Sequence, residues 1–120
     1  MFPIKTIISF NWEHDYLKYH NDNMIEFEKH GKRGFMNISG EVTIPPIYNS
    51  ILGFKNGYCC VSKDVNGKQM YGCINMYGLL VVPCIYDCPF EISNGIAIVQ
   101  KNDRAGIIDL FGNSYFWYND

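Results

Sequence analysis

An excess of either charge is missing from this chain. Ten Lys and Arg stand against twelve Asp and Glu, a net charge of −2, and the basic residues are scattered along the sequence. Nucleic-acid binding rests on phosphate neutralisation, and an anionic membrane surface attracts clustered basic side chains, so neither is expected as a partner. No apolar run approaches the roughly 18 residues of a membrane span. The start, Met1 to Phe10, lacks a basic segment, a continuous apolar segment and a small-residue cleavage site, and does not read as a secretory leader. An even cysteine set is missing too: five cysteines suit reduced thiols better than a disulfide framework, which places the expected compartment in the cytoplasm.

What is present is apolar and aromatic. Of the 120 residues 48% are hydrophobic, 16% aromatic and only 18% charged, the composition of one packed domain able to fold without help. Laid on itself, the sequence repeats. Gly34 to Lys63 against Gly72 to Lys101, an offset of 38, gives ten identities in thirty positions, where unrelated sequences would give roughly two. The matched residues include Gly34/Gly72, Asn37/Asn75, Gly40/Gly78, Pro45/Pro83, Tyr48/Tyr86 and Gly57/Gly95. A third copy follows at an offset of 34, with Gly106, Asp109 and Gly112 in the roles of Gly72, Asn75 and Gly78. The spacing predicts a domain over 1–120 with an atypical N-terminal cap (1–23), two full units (24–57 and 58–95) and a partial third (96–120).

Each unit reads as a three-stranded antiparallel meander. Short β-branched segments such as Tyr58 to Ser62 and Ile96 to Gln100 form the first strand. A hairpin follows, short at His30-Gly31 and Asn102-Asp103 and lengthened by Asp64-Val65-Asn66-Gly67. The second strand contains the recurring glycine, which implies a bulge or a close backbone approach. Asn37, Asn75 and Asp109 then open four-residue turns closed by Gly40, Gly78 and Gly112, of the kind with a type I turn and a bulge. The third strand is expected to stop at Pro45 or Pro83, which cannot donate to a ladder, and Tyr48 and Tyr86 to enter the connection to the next unit. The fold class is therefore all-β, with tandem meanders that bury their apolar faces on one another.

These segments resemble the bacterial WG repeat family. The resemblance is carried by Gly31-Lys32-Arg33-Gly34-Phe35-Met36-Asn37, Gly67 to Asn75 and Arg104 to Asp109, together with Ile44-Pro45-Pro46-Ile47-Tyr48-Asn49 and Val82-Pro83-Cys84-Ile85-Tyr86-Asp87. It spans about residues 24 to 116, with Arg33, Tyr71 and Ala105 in place of the tryptophan that names the family. The resemblance implies a bacterial or phage β-repeat protein that serves as an interaction scaffold, and brings no catalytic residues.

The residues themselves point the same way. Cys59-Cys60, Cys73, Cys84 and Cys88 do not stand at a strong zinc spacing, and free cysteine is usually a core residue, so no metal or other cofactor is expected. His14, His20 and His30 lack a nucleophile or carboxylate at a catalytic spacing and are expected to be exposed or to form caps; no enzyme activity is expected. Aromatics gather at both ends, Phe10, Trp12, Tyr16 and Tyr19 near the start and Tyr115, Phe116, Trp117 and Tyr118 near the close. They would either seal the ends of the stack or anchor a protein partner, the candidate anchors being Trp12, Tyr16, Tyr19, Tyr115, Trp117 and Tyr118. A C-terminal edge strand there could pair with a second copy as a homodimer. The expected function is a non-enzymatic protein-binding module, with a stoichiometric inhibitor such as a toxin-immunity or anti-defence protein as its sharper form. The alternative is a small-ligand or carbohydrate binder that uses the aromatic surfaces.

Overall fold

The computed structural model describes residues 16–20 and 23–117, and among these it contains eleven β-strands and no helix. The chain divides into two compact units, Met1–Ser50 and Ile51–Asp120. In the first, β1 (Leu17–Tyr19), β2 (Ile25–Lys29), β3 (Lys32–Met36) and β4 (Val42–Tyr48) pair in chain order as an antiparallel sheet. In the second, β5 (Ser50–Lys55), β6 (Tyr58–Val65), β7 (Lys68–Asn75) and β8 (Leu80–Tyr86) form one sheet, and β9 (Ile96–Lys101), β10 (Arg104–Asp109) and β11 (Ser114–Phe116) form another. The protein is all-β, built of repeated antiparallel meanders.

Local chemistry fixes these elements in every copy. Both central residues of His30-Gly31, Asn56-Gly57, Asn66-Gly67, Asn94-Gly95 and Asn102-Asp103 have φ between 52° and 83°. That is the twist of a two-residue turn matched to the right-handed strands it joins. The wider turn between the second and third strands is held by one side chain each time. Asn37 Oδ1 accepts from the amides of Ser39 and Glu41, both at 3.0 Å; Asn75 Oδ1 accepts from Tyr77 at 2.9 Å and Leu79 at 3.0 Å; Asp109 Oδ1 accepts from Phe111 and Asn113, both at 2.9 Å. Gly40, Gly78 and Gly112 close the three turns at φ 85°, 83° and 92°, where a Cβ would be strained.

The recurring glycine answers a close approach. A Cβ on Gly72 would lie 2.5 Å from Val82 O and 2.8 Å from Pro83 C and Cys84 N; on Gly34 it would strike Ile44 O, Pro45 C and Pro46 N; on Gly106, Tyr115 O and the Phe116 ring. The register is bulged at the same place in both full copies. Phe35 pairs with Ile44 but Arg33 with Tyr48, and Cys73 pairs with Val82 but Tyr71 with Tyr86, so the proline segment bows out across from the glycine.

Three expectations change. The third strand does not stop at proline: β4 and β8 run through Pro45-Pro46 and Pro83 to end at Tyr48 and Tyr86, because both lie at a sheet edge and the proline falls in the bulge. The Asp64–Gly67 insertion does not lengthen a loop; Asn66-Gly67 remains a two-residue turn, and β6 and β7 grow to eight residues each, against five for β2 and β3. The connection after Tyr48 is itself a strand, β5.

Two small polar clusters tie these elements together. In the first unit the buried Glu26 carboxylate accepts from Arg33 Nη1 and pairs with His20 Nε2, both at 2.8 Å, while the Arg33 guanidinium lies 4.5 Å from the centre of the Tyr16 ring. His20, expected to be exposed or to form a cap, is instead largely buried here against the Phe35 ring, at 5.2 Å between centroids. Burial opposes the Arg33 charge, but the hydrogen bond and field of Glu26 outweigh it and hold the guanidinium above its ordinary pKa. In the second unit Asp87 accepts from Lys68 Nζ and the Asn102 amide, both at 2.8 Å, joining the two sheets.

Candidate protein interface

The second unit is layered. Register partners share a face of a sheet, and alternate residues share it along a strand. On the β5–β8 sheet one face therefore carries Tyr58 and Cys60 with Cys73, the partner of Cys60. That face is covered by the segment Pro89–Ile92 and by the β9–β11 sheet: Cys60, Cys73, Val82 and Tyr86 join Phe90, Ile92, Ala97, Val99 and Ile108 in one core cluster. Phe90 meets Tyr86 edge to face at 5.7 Å, and Asn56 Nδ2 donates to Ile92 O at 3.3 Å. A cleft of about 310 Å³ remains along this seam between Leu52, Tyr58, Cys60 and Phe90, with the exposed Lys55 and Glu91 paired at 3.0 Å at its mouth.

The cysteines belong to this core. Cys59, Cys60 and Cys73 are buried and Cys84 and Cys88 partly so, all as free thiols. Burial, followed by the nearby Cys60 and Cys59, pushes the Cys73 thiol up to about 12; burial also raises Cys60, against the opposing hydrogen bond to the Phe90 backbone, and raises Cys84. Such thiols are poor nucleophiles at neutral pH. Among the described residues no three His, Cys, Asp or Glu side chains gather in a group that could hold a metal ion.

The opposite face of the β9–β11 sheet is where apolar surface meets solvent. Ile98, Ile107 and Tyr115 form one cross-strand row; Trp117 continues the same face and donates its amide to Ala105 O at 2.8 Å. Ile98 is 67% exposed, Tyr115 68% and Trp117 50%, with Ile96 beside them. In the preceding copy the positions of Ile98 and Ile107 are held by Cys60 and Cys73, which are 8% and 2% exposed. The same register thus places a face in the core once and in water once. Two further rings stand almost free at the tips of the wide turns, Tyr77 and Phe111.

Of the six aromatic anchor candidates, Tyr115 and Trp117 share this face. Tyr16 and Tyr19 belong to the first unit, where Tyr16 is taken up by Arg33 and Tyr19 is exposed on β1. Trp12 and Tyr118 lie outside the described residues. Phe116 points the other way, into the Gly106 socket and against the core cluster, so it seals the stack. Reading aromatics alone missed Ile96, Ile98 and Ile107. Their signal was the unbroken apolar runs Ile96–Val99 and Ile107-Ile108, where a strand wetted on one face would alternate.

Tandem meanders with a glycine socket, a bulged proline edge and an Asx-closed turn define an all-β repeat protein. A family model described as WG containing repeat matches residues 34–68 and 71–104, more than half of the chain, and the chain belongs to that family. No curated protein and no solved structure matches it. No helix among the described residues is long and apolar enough to cross a membrane.

Proposed function

We propose that this chain is a non-enzymatic module that binds another protein, and that the outer face of the β9–β11 sheet is its docking surface. The supporting observation is the contrast between Ile98 in solvent, with Tyr115 and Trp117 exposed on the same face, and Cys60, the buried counterpart of Ile98 one copy earlier. An exposed apolar face of this kind is a usual mark of a protein interaction site, and Trp and Tyr supply interface anchors with little rotamer entropy to lose. The face is a flat row of side chains, and the turn-tip rings project outward; neither encloses a small molecule, which favours a protein over a carbohydrate or small ligand.

Ile98→Asp and Trp117→Ala test the reading. Tagged wild-type protein should retain a partner from lysate of the source cells, and each variant, folded by circular dichroism, should retain at least tenfold less. Equal retention by wild type and both variants would remove this face from the proposal. A recovered enzyme that is inhibited at one-to-one stoichiometry would give the sharper form, an inhibitor.

A further inference from the structure

The covered face one copy earlier shows what kind of surface belongs on the open one. On the β5–β8 sheet the occupant of the Tyr58–Cys60–Cys73 face is a second sheet: small and β-branched side chains, Ala97, Val99 and Ile108, with the aromatic-x-aliphatic segment Phe90-Glu91-Ile92 wedged along the seam. The hairpin that builds the open face is of the same kind: β9 and β10 pair as β6 and β7 do, Asp109 repeats the hydrogen bonds of Asn75, and Gly106, like Gly72, has no room for a Cβ, here against Tyr115 O and the Phe116 ring. The open face's side chains Ile96, Ile98, Ala105, Ile107, Tyr115 and Trp117 are uncharged, and the polar residues that the register sets beside them are Gln100 and Asp109, the latter engaged in its own turn, so an anion has nothing there to pair with.

We infer that this face receives a β-sheet layer of a partner protein, one that presents small β-branched side chains and an aromatic-x-aliphatic strip, in the place a further meander would take. The inference rests on the interface reading above. A second copy does not fit the role. The faces of this second unit that have the required character, Cys59, Val61 and Ile74 on one sheet and Ala97, Val99 and Ile108 on the other, are already buried. Two open faces set against each other would oppose large side chains to large ones. Two strands of six residues and one of three, about 4.8 Å apart, give a footprint of roughly 240 Å², well under the roughly 800 Å² per partner of a stable complex. The partner layer therefore extends beyond the face, onto the Phe111 turn.

The test builds such a layer in cis. Residues 84–117 are copied once more after Trp117, in place of 118–120, with the copied tryptophan replaced by Phe and Trp12→Phe throughout, so that emission reports Trp117 alone. If the face accepts a meander, acrylamide quenching of Trp117 falls severalfold relative to the parent chain. Ile98→Asp then lowers the melting temperature of the extended chain by several degrees more than that of the parent. Unchanged quenching overturns the inference, as does an added copy that stays unstructured on a folded parent. A dimer of the parent in sedimentation that Ile98→Asp dissolves also overturns it, because the occupant would then be a second copy. The two readings fail separately: if Ile98→Asp abolishes capture of the partner while the appended copy leaves Trp117 exposed, the interface stands and the sheet-layer partner falls.

Discussion

Gly72 stands where a single added carbon meets main chain on three sides, and backbone cannot swing away as a side-chain tip can. Gly72→Ala should therefore destabilise the protein by about 2–3 kcal/mol, the upper part of the range for overpacking. Gly67→Ala, which meets nothing within 4 Å and has only its φ of 82° against it, should cost about 1 kcal/mol; urea midpoints with unchanged slopes would measure both. Glu26 gives a second case. Glu26→Leu leaves Arg33 and His20 without their shared acceptor, and because Arg33 is about a third exposed, the loss should be about 2 kcal/mol, below the range for a fully buried pair. Adding Arg33→Leu should recover most of it, measured in the same titration. Asp87 and Asp109 set the acid limit. Asp87 is held below its ordinary pKa by the Lys68 hydrogen bond and then by the Asn102 amide, Asp109 by Asn113. Carboxylates lowered in the folded state stabilise it above their unfolded pKa of about 3.9, and that contribution disappears as the pH falls through the folded values. The melting temperature should accordingly drop below about pH 4, and Asp87→Asn with Asp109→Asn should flatten that drop.

At the scale of elements, turn chemistry sets register and strand length is free to vary. The four residues that separate the offset of 38 from that of 34 add two rungs, Asp64 with Gln69 and Val65 with Lys68, at the far end of a hairpin whose turn is unchanged. Deleting Val65 and Lys68 together should keep every remaining pair in register and cost under about 1 kcal/mol, since both are exposed. Deleting Val65 alone shifts one strand by a residue and sends its core side chains to the other face; that variant should lose the cooperative thermal transition that the paired deletion keeps. The proline edges of β4 and β8 belong to the same scale. A bulge and a missing donor blunt an edge that would otherwise pair with foreign strands.

For the molecule as a whole, two compact units divide a chain whose sequence is periodic from about residue 24 onward. The second unit leaves one sheet face apolar and wet. Because Ile98 projects into solvent, Ile98→Asp should alter stability by less than about 0.5 kcal/mol, a shift of under about 4 °C for a unit of this size. The same substitution should sharply reduce binding of a hydrophobic dye. A large fall in melting temperature would place Ile98 in the core and remove the interface with it.

The sequence alone determined the meander, its turns and its family, because Gly, Asn and Pro act on the backbone they belong to, and their constraints are local enough to read at a fixed spacing. Gly34, Gly72 and Gly106 were legible in this way, as were Asn37, Asn75 and Asp109. Tertiary structure decided the rest. That β4 continues through Pro45 depends on its lying at an edge, and that His20 is drawn in beside Glu26 depends on two strands that bring them together. Whether Cys60 and Ile98, at equivalent points of successive copies, end in the core or in water depends on what is laid across their sheet. Burial is a property of the neighbouring layer, and no spacing along one strand records it.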